Sequence, residues 1–124
     1  MNLASDLERR ATENSNRVAL IFEDGRKFSF GSLNDHANRT AKVLSDLGIK
    51  RNDRVALYLR NRPPLVRCLF SLWKIGAIPV TISSLYGKEE FRKAVKTSNA
   101  VMIIADERTL TTANSSDIAI PCYA

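Results

Sequence analysis

The sequence contains few side chains whose type and spacing could do chemistry. His36, the single histidine, could carry a proton or bind a metal. No acid or cysteine stands at a catalytic or metal spacing from it, and it lies at the edge of an apolar stripe beside Val43 and Leu47, so it reads as structural. Cys68 and Cys122 are 54 positions apart, with no metal spacing and no dense cysteine framework. That pattern suits a reducing compartment, and both read as inert. The run Thr109-Leu110-Thr111-Thr112-Ala113-Asn114-Ser115-Ser116 has the hydroxyls of a phosphate loop. It lacks the glycine that would let backbone amides wrap a phosphate and the lysine that would neutralise one, so it reads as a flexible surface loop. Neither G-x-x-x-x-G-K-[ST] nor G-x-G-x-x-G occurs. The residues themselves assign no catalytic, cofactor-binding or metal-binding position.

The elements that would position any such group centre on the stretch from Arg54 to Ser83. Val55 to Leu59 is a short apolar run of strand formers, and Asn61, Pro63 and Pro64 punctuate it before a periodic segment. Proline suits a first helical turn, where its missing N–H has no intrahelical role, and Gly76 fits the position just past the helix end. Ile78 to Ile82 supplies the next strand. Within the helix only Arg67, Ser71 and Lys74 form a narrow polar strip, so burial on more than one side is expected. A strand, helix and strand joined by short corners predict parallel pairing in a covered sheet.

Before this unit, Asn2 to Ala11 reads as a surface helix with Leu3, Ala4, Leu7 and Ala11 inward. Val18–Phe22 and Lys27–Phe30 flank Asp24-Gly25 as a hairpin with a primed turn, Phe28 and Phe30 sharing the inner face. Ser32 is a candidate cap for a helix striped by Leu33, Ala37, Ala41, Leu44 and Leu47, which Gly48 stops. After the unit, Glu89–Ser98 reads as a helix, Ala100–Ala105 as a buried strand and Ile118–Ile120 as a final strand. The fold class is therefore α/β, a mainly parallel sheet with flanking helices and an N-terminal β-hairpin.

With 124 residues, 44% of them hydrophobic and 26% charged, the chain has the composition of one ordinary globular domain. No apolar run approaches the ~18 residues that a membrane span needs, and Asp6 and Glu8 stand where a secretory signal would be basic and then apolar, so a cytoplasmic protein is expected. The net charge is +6, but the cations fall on several elements: Arg9 and Arg10; Lys50, Arg51 and Arg54; Arg60, Arg62 and Arg67; Arg92, Lys93 and Lys96. No aromatic residues interleave with them to stack bases, so a solvated surface is expected rather than a nucleic-acid footprint.

A family pattern runs through residues 15–105. It comprises Phe30-Gly31-Ser32-Leu33 at a helix start, Ala37-Asn38-Arg39 within that helix and Leu47-Gly48-Ile49 at its end. Asp53-Arg54-Val55-Ala56, Asn61 and Lys74-Ile75-Gly76-Ala77 follow in order. In this the chain resembles the N-terminal portion of the AMP-forming acyl-CoA synthetases, in the adenylate-forming superfamily that also contains luciferase and peptide-synthetase adenylation domains. Two positions depart from the pattern. Asn52 stands where the family usually has glycine, a mild change because asparagine tolerates the left-handed conformation. Pro79-Val80-Thr81-Ile82-Ser83-Ser84 replaces a Val-Pro-Leu-Asn-Pro-like ending, and Pro79 should sit at the start or at an unpaired position of its strand.

The resemblance implies a two-step ligase, in which a carboxylate attacks the α-phosphate of Mg-ATP and the thiol of coenzyme A then displaces AMP. It also implies that the phosphate loop, acyl pocket and catalytic lysine lie beyond the matched region, so no catalytic or ligand residue transfers onto this chain. Residues 1–124 are accordingly expected to be an N-terminal fragment of the acyl-CoA synthetase-like fold, inactive alone and without its own cofactor; a stand-alone α/β binding or scaffold module is the alternative. The expected partner is the remainder of the enzyme. Apolar surface left exposed on the helix after Pro64 is expected to drive self-association.

Overall fold

The computed structural model describes residues 3–116 and the backbone of Cys122 and Tyr123; the expected strand at Ile118–Ile120 lies outside the described residues. The elements are α1 (Leu3–Glu13), β1 (Val18–Ile21), β2 (Lys27–Ser29), α2 (Phe30–Asp46), β3 (Arg54–Tyr58), α3 (Pro63–Lys74), β4 (Ile78–Thr81), α4 (Lys88–Ser98), β5 (Met102–Ala105), α5 (Leu110–Asn114) and β6 (Cys122–Tyr123). β1 and β2 form an antiparallel hairpin, and the other strands form a parallel sheet in the order β4-β3-β5-β6. The α/β class and the parallel pairing expected from the sequence are both present.

Strand alternation puts two different sets of side chains on the two faces of the sheet. Val55, Leu57 and Leu59 with Met102 and Ile104 pack against Leu44 of α2 and Cys68 and Leu72 of α3. Ala56, Tyr58 and Ile103 pack against Phe91 and Val95 of α4 and Ala113 of α5. A third cluster joins Leu7, Leu33 and Ala37 of α1 and α2 to Val66 and Phe70 of α3. Burying Leu72, which is fully inaccessible, contributes ~1.5–3 kcal/mol, and truncating it to alanine would cost ~2–5 kcal/mol because a cavity remains.

The third cluster narrows the apolar surface that α3 was expected to leave exposed. No residue of α3 is exposed, because α1 and α2 cover the side that faces away from the sheet. The polar strip of α3 is part of that cover. Ser71 is fully buried and its hydroxyl donates to the Ala37 carbonyl at 3.0 Å and to its own Arg67 carbonyl at 2.6 Å. The Lys74 side chain, 6% exposed, donates from Nζ to Glu8 of α1 at 2.9 Å and to Asn34 of α2 at 2.8 Å. Ser71 and Lys74 thus mark a helix–helix seam with satisfied partners, where periodicity alone suggests a solvated strip.

Local corrections follow from turn chemistry. Ser29, not Ser32, caps α2, its hydroxyl accepting from the Ser32 N–H at 3.1 Å, and Phe30 is the first helical residue rather than the end of a strand. In the hairpin Gly25 alone has positive φ, +88°, while Asp24 does not, so the turn is not primed. Gly25 N–H donates to Phe22 C=O and Phe22 N–H donates to Arg26 C=O, the pattern of a three-residue loop closed by a left-handed glycine. Leu3 is exposed rather than inward. Asn52 is left-handed at φ +70°, as its place in the turn before β3 requires. Gly76, at φ +74°, follows α3, and Pro79 lies within β4, a strand paired only to β3 among the described residues, where its missing N–H costs no ladder bond.

Candidate functional site

The connections that follow the neighbouring strands β3 and β5 run in opposite directions: α3 leads from β3 to β4 on one side, and α5 leads from β5 to β6 on the other. Such a reversal opens a crevice at the carboxyl ends of the two strands, where open α/β sheets bind ligands. The residues that emerge there are Tyr58, Leu59 and Arg60 after β3, and Asp106 to Thr109 after β5.

Asp106 organises this end. Its Oδ2 accepts from the Arg60 backbone N–H at 3.1 Å and from Arg60 Nε at 3.0 Å, and its Oδ1 accepts from the N–H groups of Arg108 at 2.8 Å and Thr109 at 3.0 Å. Thr109, itself buried, accepts the Asp106 N–H at 3.0 Å on its hydroxyl and donates that hydroxyl to the Tyr58 carbonyl at 2.5 Å. Burial alone would raise the Asp106 carboxyl, but the donors from Arg60, Thr109 and Arg108 outweigh it and hold the group well below the usual carboxylate range. Glu107 adds only a 3.7 Å contact to Arg60 from an almost fully exposed side chain.

Beneath this network Tyr58 stacks on Phe91 with centroids 4.2 Å apart and donates its hydroxyl to the Tyr86 carbonyl. Burial pushes the phenol above its ordinary value. The Asp106 carboxylate, the Thr109 hydroxyl and the Tyr58 hydroxyl are thus all directed at the protein itself. A carboxylate with both oxygens engaged by four N–H donors is not a general base, and Arg60 is committed to it. The arrangement can hold the ends of β3 and β5 in fixed register.

Beside the network the surface is indented. A cavity of about 300 Å³ is lined by Arg26, Arg60, Arg62 and Asp106 among others. An apolar groove of about 380 Å³ adjoins it, with Leu44, Leu59, Cys68 and Ile104 against the rim residues Val43 and Leu47, which are 56% and 42% exposed. Burial pushes the Cys68 thiol up to about 11, as expected of an inert cysteine. His36 is elsewhere. Its ring meets Phe28 edge-on at 6.5 Å beside a polar cavity of about 420 Å³, rather than joining Val43 and Leu47 at their groove.

The Thr/Ser run is not a flexible loop. Thr109, Ala113 and Ser116 are buried on one side of α5, and Ser116 donates to the Thr112 carbonyl at 2.6 Å. Their spacing of four and three residues was the available signal. No group of three or more His, Cys, Asp or Glu side chains could hold a metal among the described residues. With Thr109 donating to the Tyr58 carbonyl, Ser115 and Ser116 donating to the Thr112 carbonyl, and no glycine or lysine in the run, this segment does not fit Mg-ATP phosphates.

The family model described as AMP-binding enzyme matches residues 7–121. The crotonobetaine/carnitine–CoA ligase of Salmonella paratyphi A is 44% identical over 92 residues, covering 71% of this chain and 18% of that protein, and the Citrobacter koseri enzyme of the same name is 43% identical over 93 residues. The chain therefore spans less than a fifth of the length of these curated relatives. Among solved structures, the N-terminal domain of FACL13 from Mycobacterium tuberculosis superimposes with a TM-score of 0.90 at 24% identity, over 99% of this chain and 33% of that one. The NpsA N-terminal subdomain of Klebsiella oxytoca gives 0.88 at 24% identity, over 98% of this chain and 30% of that one. These likenesses establish the fold of an N-terminal subdomain of such enzymes, and with the match across nearly the whole length they lead to one conclusion: the chain belongs to the AMP-binding enzyme family.

Proposed function

We propose that this chain is the N-terminal portion of an AMP-forming acid–coenzyme A ligase, supplying scaffold rather than chemistry, and that it is catalytically inactive alone. The parent reaction joins a carboxylate to the α-phosphate of Mg-ATP with loss of pyrophosphate, and the thiol of coenzyme A then displaces AMP. The observation that carries this reading is the 44% identity over 92 residues to a crotonobetaine/carnitine–CoA ligase, joined to a carboxyl-end crevice whose Asp106 carboxylate is committed to Arg60, Arg108 and Thr109. The remainder of the enzyme is the natural partner. The groove rimmed by Val43 and Leu47 is the surface offered to it, and the same groove is where copies of the isolated chain would associate. A cytoplasmic location accords with this role.

The second reading is a stand-alone α/β module without catalysis. It is favoured by the packing of α1 and α2 over α3 within this chain, which leaves none of its residues fully exposed. ATP–pyrophosphate exchange over a panel of carboxylic acids that includes crotonobetaine and carnitine separates the two, run on the 124-residue chain and on any longer product of the same gene. Exchange with the longer product alone supports the fragment reading. Exchange by the 124-residue chain would overturn the proposed inactivity, and absence of any longer product would favour the stand-alone module.

A further inference from the structure

The cations that look scattered along the sequence are partly gathered by the fold at the amino ends of the sheet strands. Lys50 and Arg51 sit in the turn that enters β3, and Arg54 is the first residue of that strand. Lys96 lies in the last turn of α4, and its carbonyl accepts the N–H of the left-handed cap Asn99. Arg54 ties these pieces together: its guanidinium donates to the Ser98 carbonyl at 3.2 Å, its carbonyl accepts the Val101 N–H at 2.8 Å, and it pairs across the ladder with Ile78.

Ile78, Arg54 and Val101 therefore form one row across three adjacent strands, and the two aliphatic residues are 40% and 44% exposed. Lys50, Arg51, Arg54 and Lys96 are all exposed. The segments that build this end, residues 50–54, 76–78 and 96–101, carry four cations against the single carboxylate of Asp53, whose Oδ2 accepts the Lys50 N–H at 2.8 Å. Exposed aliphatic side chains on either side of Arg54, at an end that also carries Lys50, Arg51 and Lys96, match a surface that is anionic outside and apolar beneath. Phosphates stacked with bases would instead call for exposed aromatic residues, and residues 50–54, 76–78 and 96–101 contain none.

We propose that the amino-terminal end of the β4-β3-β5 sheet is a docking surface for an anionic lipid bilayer, with Lys50, Arg51, Arg54 and Lys96 at the headgroups and Ile78 and Val101 in the interface. It lies at the opposite end of the sheet from the Asp106 network, so a chain lying on a bilayer by this end leaves the carboxyl-end crevice facing water. No described helix is long and apolar enough to span, so the contact is peripheral.

The test is cosedimentation of the 124-residue chain with vesicles of phosphatidylcholine alone and of phosphatidylcholine with phosphatidylglycerol. The expected result is binding to the anionic vesicles only, weakened by salt. The double variant Lys50→Gln/Lys96→Gln should lower the partition coefficient about 30-fold, following the contribution of each basic residue near an anionic surface. Arg39→Gln/Lys42→Gln, which removes the same charge from exposed positions of α2 outside the segments that build this end, should leave it within about twofold. Ile78→Ser/Val101→Ser should lower binding while keeping the net charge, which a purely ionic contact would not show. Equal loss in both lysine and control variants, no binding to anionic vesicles, or tighter binding to a random DNA duplex than to the vesicles would each overturn the proposal.

Discussion

Replacing Asp106 should remove the tie between the ends of β3 and β5. In Asp106→Ala four N–H donors lose their acceptor, two from Arg60 and one each from Arg108 and Thr109. The side chains of Arg60 and Asp106 are only 20% and 16% exposed, so water replaces the carboxylate incompletely. Hydrogen bonds to a charged group contribute ~1.5–3 kcal/mol each when buried, and partial solvent access reduces their sum, which puts the expected loss at ~2–4 kcal/mol. For a domain whose whole stability is ~5–15 kcal/mol this is a large fraction. Asp106→Asn keeps an acceptor oxygen without the charge and should lose about half as much.

The sign with pH is determined by the depressed carboxyl. Above its unfolded value of ~3.9 the group is ionised in both states and its full contribution is present; as pH falls below ~4 the unfolded chain takes up the proton first and that contribution drains away. Urea denaturation at pH 7 and at steps down to pH 3 would measure this. The wild-type chain should lose more stability on acidification than Asp106→Ala, which has already lost the contribution. A change at pH 7 under ~0.5 kcal/mol, or the same acid limb in both proteins, would refute the assignment of Asp106 as the organising group.

Gly25→Val should cost ~1–2 kcal/mol although no atom lies within 4 Å of the added Cβ, because φ is +88°; an unchanged urea midpoint would contradict the turn geometry. Asn52→Gly, at φ +70°, should be neutral or slightly stabilising in the same assay. Lys74→Met keeps the buried stem and removes the bonds to Glu8 and Asn34; with Glu8 57% exposed, ~1 kcal/mol is expected, with earlier amide exchange in α1 than in the sheet. In a Cys122→Ser background the thiol of Cys68 should resist a disulfide reagent at pH 8 in the native state and react on unfolding; fast native labelling would mean the groove floor opens.

The sequence by itself determined the elements whose signals are local. Val55 to Leu59 needed only an apolar run of strand formers, α3 only its prolines and Gly76, and Asn52 only a turn that accepts a left-handed residue. The α/β class and the family resemblance are sums of such signals. Only the tertiary structure decided what the polar residues face. Ser71 and Lys74 look like solvent positions until α1 and α2 close over them, and Thr109 and Ser116 look like loop hydroxyls until α5 folds against the sheet. Arg60 and Asp106 stand 46 residues apart, and no periodicity relates them; parallel pairing of β3 and β5 in register brings their strand ends together. The same pairing lines up Ile78, Arg54 and Val101. Hydrophobic period is read over a few neighbours along the chain, whereas the partner of a buried charge is chosen by the topology that ends two distant strands side by side.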